Sequence, residues 1–271
     1  ICGRGRVPSG RLRNRAHRGE SALGYSFTPS TLEFSLEIFS PKSSDGMVKL
    51  RHTLEAYSAY DPAYITVTFG AGGGVENVDQ SRDLIRRLVS MGTTPIAAHI
   101  ICAGRSRADV DAIVDGFYTD GVRRFVALRG DVLQRSGPYT AHPDGYAHTY
   151  DFIAGIRARH PDVHISVAGY PEKHPESATL RQDLDHLKRK VDAGADSILT
   201  QFFFDPEVFL RWRDVVQARG IAVPIIPGIL PILNFQKAVS FADKCGAQVP
   251  AFLHRMFEGV APDSLDHKLL A

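Results

Sequence analysis

Two short stretches indicate the fold, Ile65-Thr-Val-Thr-Phe69 and Phe125-Val-Ala-Leu128. Each lacks the polar face of a half-exposed strand, which is typical of strands in a parallel sheet that helices cover on both sides. Similar stretches recur along the chain, with helix-like amphipathic segments between them. The predicted strands are Glu33–Phe39, Tyr64–Phe69, Pro95–Ile101, Arg124–Leu128, Val163–Ala168, Asp196–Phe202 and Val223–Ile229.

The spacing of these strands predicts a repeated βα unit. Successive strands begin 27 to 39 residues apart, which leaves room for a crossover helix but is too long for a hairpin. Predicted helices include one that opens at Pro206 and Glu207, and one from Glu176 to Ala193 that stops at Gly194. We therefore predict an α/β fold, a (β/α)8 TIM barrel without a visible eighth strand. The alternative is an open doubly wound sheet, although no phosphate fingerprint follows Phe39.

Charge divides the chain into two parts. Residues 1–20 carry six Arg and one acidic residue, Glu20, whereas the rest of the 271 residues carry 26 basic and 29 acidic residues. The basic character is therefore confined to one end, and whole-chain charge gives no support for nucleic-acid binding. We predict that residues 1–31 form a basic N-terminal arm, disordered or peripheral, in preference to an organellar transit segment. Residues 32–271 then form the barrel.

Other features of the composition exclude several classes of protein. The three cysteines, Cys2, Cys102 and Cys245, lack metal-ligand spacing and fit a reducing compartment, so we predict a cytoplasmic protein. No apolar run reaches the ~18 residues of a membrane span, and three prolines interrupt the best candidate, Val223 to Leu233. We predict no metal, no membrane and no nucleic-acid partner.

Polar residues follow the predicted strands. In a barrel the carboxyl ends of the strands meet at one rim, where catalytic residues gather. These polar positions are Glu37, Thr68, His99, Arg129 to Asp131, Tyr170 to His174, and Thr200-Gln201.

Glu37 and His99 each allow two interpretations. Glu37 lies among apolar neighbours, which would raise its pKa and suit a general acid, but it could instead pair with a Lys or Arg. His99 ends an apolar strand, where a lone histidine is more often a hydrogen-bonded core residue than a ligand.

Three other motifs are ambiguous from the residues alone. The glycine run Gly70 to Gly74 fits no complete phosphate-loop pattern and could be a tight turn. Arg129 offers a planar fork for a phosphate or ring carbonyl, or could pair with Asp131. Asp183 and Lys190 share one helix face, which is either solvated or turned towards the phosphates of a ligand.

Several long motifs, in order, resemble the bacterial 5,10-methylenetetrahydrofolate reductases over roughly residues 32–271. They are Ser35-Leu-Glu-Ile-Phe-Ser-Pro-Lys42, Val67-Thr-Phe-Gly-Ala-Gly-Gly73, Ala127-Leu-Arg-Gly-Asp131, Ala168-Gly-Tyr-Pro-Glu-Lys-His-Pro-Glu176, Leu187-Lys-Arg-Lys-Val-Asp-Ala-Gly-Ala-Asp196, Thr200-Gln-Phe-Phe-Phe-Asp205 and Ile225-Ile-Pro-Gly-Ile-Leu-Pro-Ile232.

The resemblance implies a flavoprotein of one-carbon metabolism and methionine biosynthesis. FAD would bind at the barrel rim, take a hydride from NAD(P)H and pass it to methylenetetrahydrofolate, giving 5-methyltetrahydrofolate by ping-pong kinetics. Family likeness also implies a homo-oligomer.

The resemblance assigns roles to particular residues. Glu37 would protonate the folate, and Asp131 would tune both flavin and pterin. Gln201, Phe241 and Lys237 would contact substrate. The expected FAD contacts are Thr68, His99, Arg129, Gly130, Asp131, Tyr146, Ala147, Tyr170, His174, Asp183, Arg189 and Lys190, which favours the ligand-facing interpretation of the helix that carries Lys190.

The sequence also departs from the family pattern. Leu36, Ile38 and Ser40 replace three members of the first motif, while Ser177 and His186 stand where some relatives have Ala and Asn. The strand that closes the barrel in relatives is not found. Two alternatives therefore accompany the reductase: a truncated, non-catalytic homologue, and a pterin-binding methyltransferase on the same barrel.

Overall fold

The computed structural model describes residues 33–41, 43–68, 77–92, 94–130, 140–262 and 264–270. Residues from Phe34 onward form one compact unit. The strands are β1 (Leu36–Ile38), β2 (Ile65–Val67), β3 (Ile96–Ile101), β4 (Arg124–Leu128), β5 (His164–Gly169), β6 (Ser197–Thr200) and β7 (Ile225–Ile226). The helices are α1 (Ser44–Ser58), α2 (Asn77–Met91), α3 (Arg107–Thr119), α4 (Thr149–Arg159), α5 (Leu180–Asp192), α6 (Pro206–Ala218), α7 (Phe235–Cys245), α8 (Ala251–Met256) and α9 (Leu265–Leu270).

All seven predicted strands are confirmed, and they form one parallel sheet. The spatial order is β1-β2-β3-β4-β5-β6-β7, the same as the order in the chain. A doubly wound sheet reverses its strand order at a switch point, so the open-sheet alternative is excluded. The architecture is a curled, TIM-barrel-like sheet in which the described residues supply no eighth strand.

One face of the sheet is the hydrophobic core. Alternate strand residues project to this outer face and pack against apolar residues of the surrounding helices. This cluster includes one fully buried residue from each of five strands: Val67, Ile100, Phe125, Ile165 and Ile198. Burial of such aliphatic and aromatic surface is the main stabilising contribution to the fold.

The other face of the sheet is polar. The strand register places His99, Val126, Ser166 and Ser197 in one row across four strands, and alternation turns this row to the inner face. Thr68, directly after β2, continues the row because Val67 pairs with Ala98. Glu37, Thr66 and Arg124 lie in the row before it. Five of the eight buried polar residues in the described part of the chain lie on this inner face, so the curled sheet encloses polar rather than apolar surface.

Local capping signals set the helix bounds. Asp205 accepts a hydrogen bond from the Glu207 amide and Pro206 is the first residue of α6, as the sequence predicts. The predicted start of α5 at Glu176 is wrong. Thr179 caps this helix by accepting from the Gln182 amide at 3.2 Å, so α5 begins at Leu180, and Glu176 lies in the preceding loop.

Within the described chain, none of the helices combines the length and apolar character that a membrane crossing requires.

Candidate active site

Glu37 is the middle residue of β1 and faces the inner side of the sheet. Its Oε2 lies 3.9 Å from the Nε2 of His99 on β3, too far for a hydrogen bond. Although 54% of the Glu37 side chain remains accessible, surrounding protein desolvates the carboxyl and raises its pKa. The described residues offer Glu37 no Lys or Arg partner, so the salt-bridge interpretation receives no support from them.

His99 is buried and lacks a hydrogen-bond partner at Nε2 among the described residues. Burial lowers the pKa of His99 to about 4, so the ring is neutral near pH 7. A neutral neighbour does not stabilise a carboxylate, and desolvation of Glu37 is therefore unopposed from this side. A hydrogen-bonded core histidine would have a partner at Nε2, and among the described residues His99 has none there, so that interpretation is wrong for this nitrogen.

Thr68 presents a second unpartnered polar atom beside His99. It follows β2 directly, and its amide donates to the Ile38 carbonyl at 3.0 Å, which fixes the main chain. Its Oγ1 is buried and, within the described structure, has no partner. Leaving a buried hydroxyl and imidazole nitrogen unpaired costs free energy, so the two atoms mark a surface suited to a polar ligand.

Arg129 is fixed by the loop after β5. Its guanidinium donates two hydrogen bonds to the Glu176 carboxylate, with Nη1–Oε2 at 2.6 Å and Nη2–Oε1 at 2.9 Å. This bidentate pair lowers the pKa of Glu176. Gly130 adjoins it with a φ of 93°, and an added Cβ would approach Ile101 Cγ2 to 2.1 Å, so only glycine fits there.

The loop between β5 and α5 holds His174. Its Nδ1 accepts from the Glu176 amide at 3.1 Å, its own amide donates to Asp183 at 3.2 Å, and Tyr170 packs edge-on at 4.6 Å. Burial, with a smaller effect of Arg129, lowers the pKa of His174 and so favours the neutral ring.

Lys173 shapes the same loop. It has a positive φ of 73°, unusual for a residue other than glycine, and its ammonium donates to the carbonyls of His174 and Ser177. The loop is therefore preorganised by its own residues.

Lys190 reaches from α5 to the carboxyl end of β5. Its Nζ donates to the Ala168 carbonyl at 2.7 Å, and burial lowers the pKa of Lys190 to about 8 although Asp183 opposes this. The interpretation of Asp183 and Lys190 as an ordinary solvated face is therefore wrong. Arg189, one residue earlier, is exposed and lies 5.8 Å from the ring of Tyr150.

The expected cofactor contact at Tyr146 is part of the core. Its ring is 4% exposed and its hydroxyl donates to Asp111 at 2.6 Å. This hydrogen bond is not available to a ligand, whereas the neighbouring Ala147 is exposed.

The expected substrate contacts lie on the following units. Gln201 comes directly after β6, and its Oε1 accepts from the Phe202 amide at 3.0 Å. Phe241 on α7 stacks on Phe202 at 5.4 Å with 38% of its surface exposed, and Lys237 lies one turn earlier on the same face of α7.

Two parts of the expected site lie outside the described residues: Asp131 and the glycine run from Gly70 to Gly74. Sequence reasoning, in turn, missed Glu176 and Lys173. The motif Pro171-Glu-Lys-His-Pro-Glu176 signalled a polar loop, but the partner of Glu176 lies 47 residues earlier in the chain. Among the described residues, no three potential metal ligands come together.

Comparison with known proteins adds independent findings. A family model described as "Methylenetetrahydrofolate reductase" matches residues 26–271. The curated 5,10-methylenetetrahydrofolate reductases of Salmonella typhimurium and Escherichia coli are each 38% identical over 239 residues, which is 88% of this chain and 78% of theirs.

A solved structure supports the fold alone. It has a TM-score of 0.57 and 15% identity, covers 84% of this chain and 76% of its own, and is described as an uncharacterised Clostridium thermocellum protein that binds two copies of 5-methyl-5,6,7,8-tetrahydrofolic acid.

Proposed function

The chain belongs to the methylenetetrahydrofolate reductase family, and from this premise we propose that it reduces 5,10-methylenetetrahydrofolate to 5-methyltetrahydrofolate with NAD(P)H. The proposal includes FAD as the resident cofactor and ping-pong hydride transfer. The observation that carries it is the inner face of the sheet, where Glu37 Oε2 lies 3.9 Å from His99 Nε2. His99 Nε2 and Thr68 Oγ1 are both buried and have no hydrogen-bond partner among the described residues.

The donor set fits a flavin dinucleotide. A flavin ring carries several carbonyl and nitrogen acceptors that His99 and Thr68 are suited to meet, and Arg129, held in place by its pair with Glu176, would add positive charge beside them. Lys190, Arg189 and Asp183 would hold the ribityl and pyrophosphate end, with Tyr170, His174, Gly130, Tyr146 and Ala147 around it. When bound, FAD supplies reversible acceptance and donation of a hydride, which no side chain can do.

Glu37 would act as the proton donor. Folate nitrogen N10 must take a proton for the five-membered ring to open, and a carboxyl with a raised pKa keeps its proton closer to neutral pH than an ordinary glutamate. The neutral His99 preserves this property because it adds no positive charge beside the carboxyl. Asp131 remains part of the proposal as the residue that tunes flavin and pterin.

Substrate would bind against α7 and the end of β6. Phe241 offers a half-exposed ring, already aligned by its stacking on Phe202, to a pterin or a nicotinamide. Gln201 would provide hydrogen bonds, and Lys237 a positive charge for the carboxylates of folate. If one surface serves both substrates in turn, NAD(P)H must leave before folate binds, which is the basis of the ping-pong expectation.

Two further parts of the proposal are that the protein is cytoplasmic, as the cysteine content predicts, and that it forms homo-oligomers, as the resemblance implies.

The test separates the two half-reactions. We expect the purified chain to bind FAD and show a flavin spectrum that NADH or NADPH bleaches anaerobically. Glu37→Gln should still allow this bleaching, but should lower turnover of methylenetetrahydrofolate by roughly 10²- to 10⁴-fold. Glu55→Gln, a matched change on the exposed face of α1, should affect neither step.

Three results would contradict the proposal. A chain that takes up no added FAD is not this reductase. Folate turnover retained in Glu37→Gln would remove Glu37 from its role. Activity that needs a methyl donor and no flavin would indicate the methyltransferase instead.

A further inference from the structure

A cavity of about 430 Å³ lies among α7, α8 and α9. Its apolar walls include Phe235 and Phe257, whose rings stack at 4.6 Å, together with Val260 and Pro262. Flat aromatic and aliphatic walls of this kind accept a planar apolar group, and the volume is within the range of small-molecule sites.

His267 supplies a buried polar group to this cavity. The residue is 1% exposed, and its Nε2 accepts a hydrogen bond from the Phe235 amide at 3.0 Å. An accepting Nε2 carries no proton, so the proton of the neutral ring is on Nδ1. That Nδ1 is buried and has no hydrogen-bond partner in the described part of the chain. His267 thus brings an unsatisfied buried donor to the lining of the cavity.

The lining of the cavity also carries one exposed charge of each sign. Arg255 and Glu258 both line it, both are exposed, and neither forms an ion pair with any residue that the structure describes. A simple anion would be attracted by Arg255 and repelled by Glu258, and a simple cation the reverse. A ligand that carries both a carboxylate and an ammonium group meets both charges favourably.

We propose that this cavity binds a free aromatic α-amino acid, with its ring directed inwards and its zwitterionic end at the surface. The ring packs against the stacked pair formed by Phe235 and Phe257, with Val260 and Pro262 beside it. The carboxylate pairs with Arg255 and the ammonium with Glu258. An acceptor at the far end of the ring, such as a phenol oxygen, takes the hydrogen bond that His267 Nδ1 offers.

This site is separate from the one proposed for folate. Phe235 is the first residue of α7, whereas Phe241 lies six residues later, about 120° around the helix axis. Lys237 and Phe241 share a face, and neither lines the cavity. The inference therefore does not depend on FAD, on folate or on catalysis.

Calorimetric titration of the full chain with four related compounds tests the proposal. L-Tyrosine carries all three polar groups. Tyramine lacks the carboxylate, 3-(4-hydroxyphenyl)propionate lacks the ammonium, and L-phenylalanine lacks the phenol oxygen. We expect L-tyrosine to bind most tightly, and each of the other compounds to bind about tenfold or more weakly, since each loses one hydrogen-bonded or charged contact.

Matched variants then assign each contact. Arg255→Gln should remove the preference for L-tyrosine over tyramine, and Glu258→Gln the preference over 3-(4-hydroxyphenyl)propionate. Both positions are exposed, so the fold should persist. His267→Gln retains an acceptor near the Phe235 amide but lacks the Nδ1 donor, and should abolish the preference over L-phenylalanine.

Three results would overturn the proposal. They are failure of L-tyrosine to bind, equally tight binding of all four compounds, and preferences that are unchanged in Arg255→Gln and Glu258→Gln. Loss of folate turnover with retained L-tyrosine binding would instead contradict only the proposed function.

Discussion

The two faces of the curled sheet are built from alternate residues of the same strands, yet they differ in almost every respect. On β4, Phe125 projects outwards into the main hydrophobic cluster, whereas its neighbour Val126 is buried on the inner face outside that cluster. On β3, Ile100 belongs to the main hydrophobic cluster, while His99 Nε2 has no hydrogen-bond partner in the part of the chain that the structure describes. Outer residues pack against the helices, whereas the inner face includes buried polar atoms that no described residue pairs with.

The contrast teaches where stability and function can be separated. The outer face makes contacts that exist whether or not a ligand is bound. The inner face contains buried polar atoms that lower stability until something pairs with them, as is common at functional sites. Substitutions on the two faces should therefore change different measurements.

The largest difference between the faces should come from two adjacent residues. Phe125→Ala removes a fully buried ring from the main cluster and should lower the free energy of unfolding by about 3–5 kcal/mol. Val126→Ala removes less volume and should cost about 1–2 kcal/mol. Chemical denaturation with unchanged m-values would measure both. Equal losses would break the distinction between the faces.

The next effect is a dependence of stability on pH that belongs to the inner face. The pKa of His99 is lowered from 6.5 to about 4, so between these values the unfolded chain binds the proton that the folded chain excludes. Stability from this residue is present above pH 6.5 and is lost as the pH falls towards 4, by about 3 kcal/mol in total. Urea unfolding at a series of pH values measures it.

His99→Asn is the control for that measurement, because Asn does not titrate in this range. The difference in unfolding free energy between wild type and variant should shrink by about 3 kcal/mol from pH 7 to pH 4. A constant difference would show that His99 is not buried as a neutral ring.

A smaller change in stability is expected at Lys190, where substitution should raise the free energy of unfolding instead of lowering it. Burial lowers the pKa of Lys190 to about 8, so at pH 7 the fold holds a desolvated cation. Within the described residues, the Ala168 carbonyl and nearby Asp183 stabilise this cation. Lys190→Met should raise the unfolding free energy of the FAD-free chain by about 1 kcal/mol while weakening retention of FAD. Thermal unfolding and FAD titration measure the two results.

Lys188→Met is the matched control, because Lys188 pairs with Asp192 at the surface of the same helix. It should change neither stability nor FAD retention appreciably. If Lys190→Met instead lowered the free energy of unfolding, Lys190 would stabilise the fold, as the residues of the outer face do.

An effect no larger than that of Lys190 should come from Ser197, in the same inner row as His99. Its Oγ hydrogen-bonds to His164 Nε2 and to Ser166 Oγ, each at 2.9 Å. Ser197→Ala leaves both groups with one partner fewer and should cost about 1 kcal/mol. Denaturation of Ser197→Ala beside Ser166→Ala checks this, and a stabilising effect in both would mean that this network opposes folding.

The sequence predicted the outer face more completely than the inner one. The burial of apolar strand residues such as Val67 and Val167 can be predicted from the local sequence, because it depends on the residue and its neighbours in the chain. The raised pKa of Glu37 was predicted in the same way from its apolar neighbours, and its direction is confirmed.

Contacts between distant segments could not be predicted locally. Glu176 had the pattern of a helix start, but Arg129 and the Thr179 cap leave it in the loop before α5. The unpartnered state of His99 depends on three strands and their register, which no local pattern contains.

The strand order has a consequence for how the chain acquires its structure during synthesis. Each strand pairs only with the strands directly before and after it in the chain, from β1 to β7. A new βα unit leaving the ribosome therefore finds its docking surface already made, and no unit must wait for a distant one. At roughly 5–20 residues per second, a unit emerges every few seconds, long enough for helices and short loops to form. The inner row containing Thr68, His99, Ser166 and Ser197 should thus assemble one strand at a time, from the N-terminal side of the sheet onward.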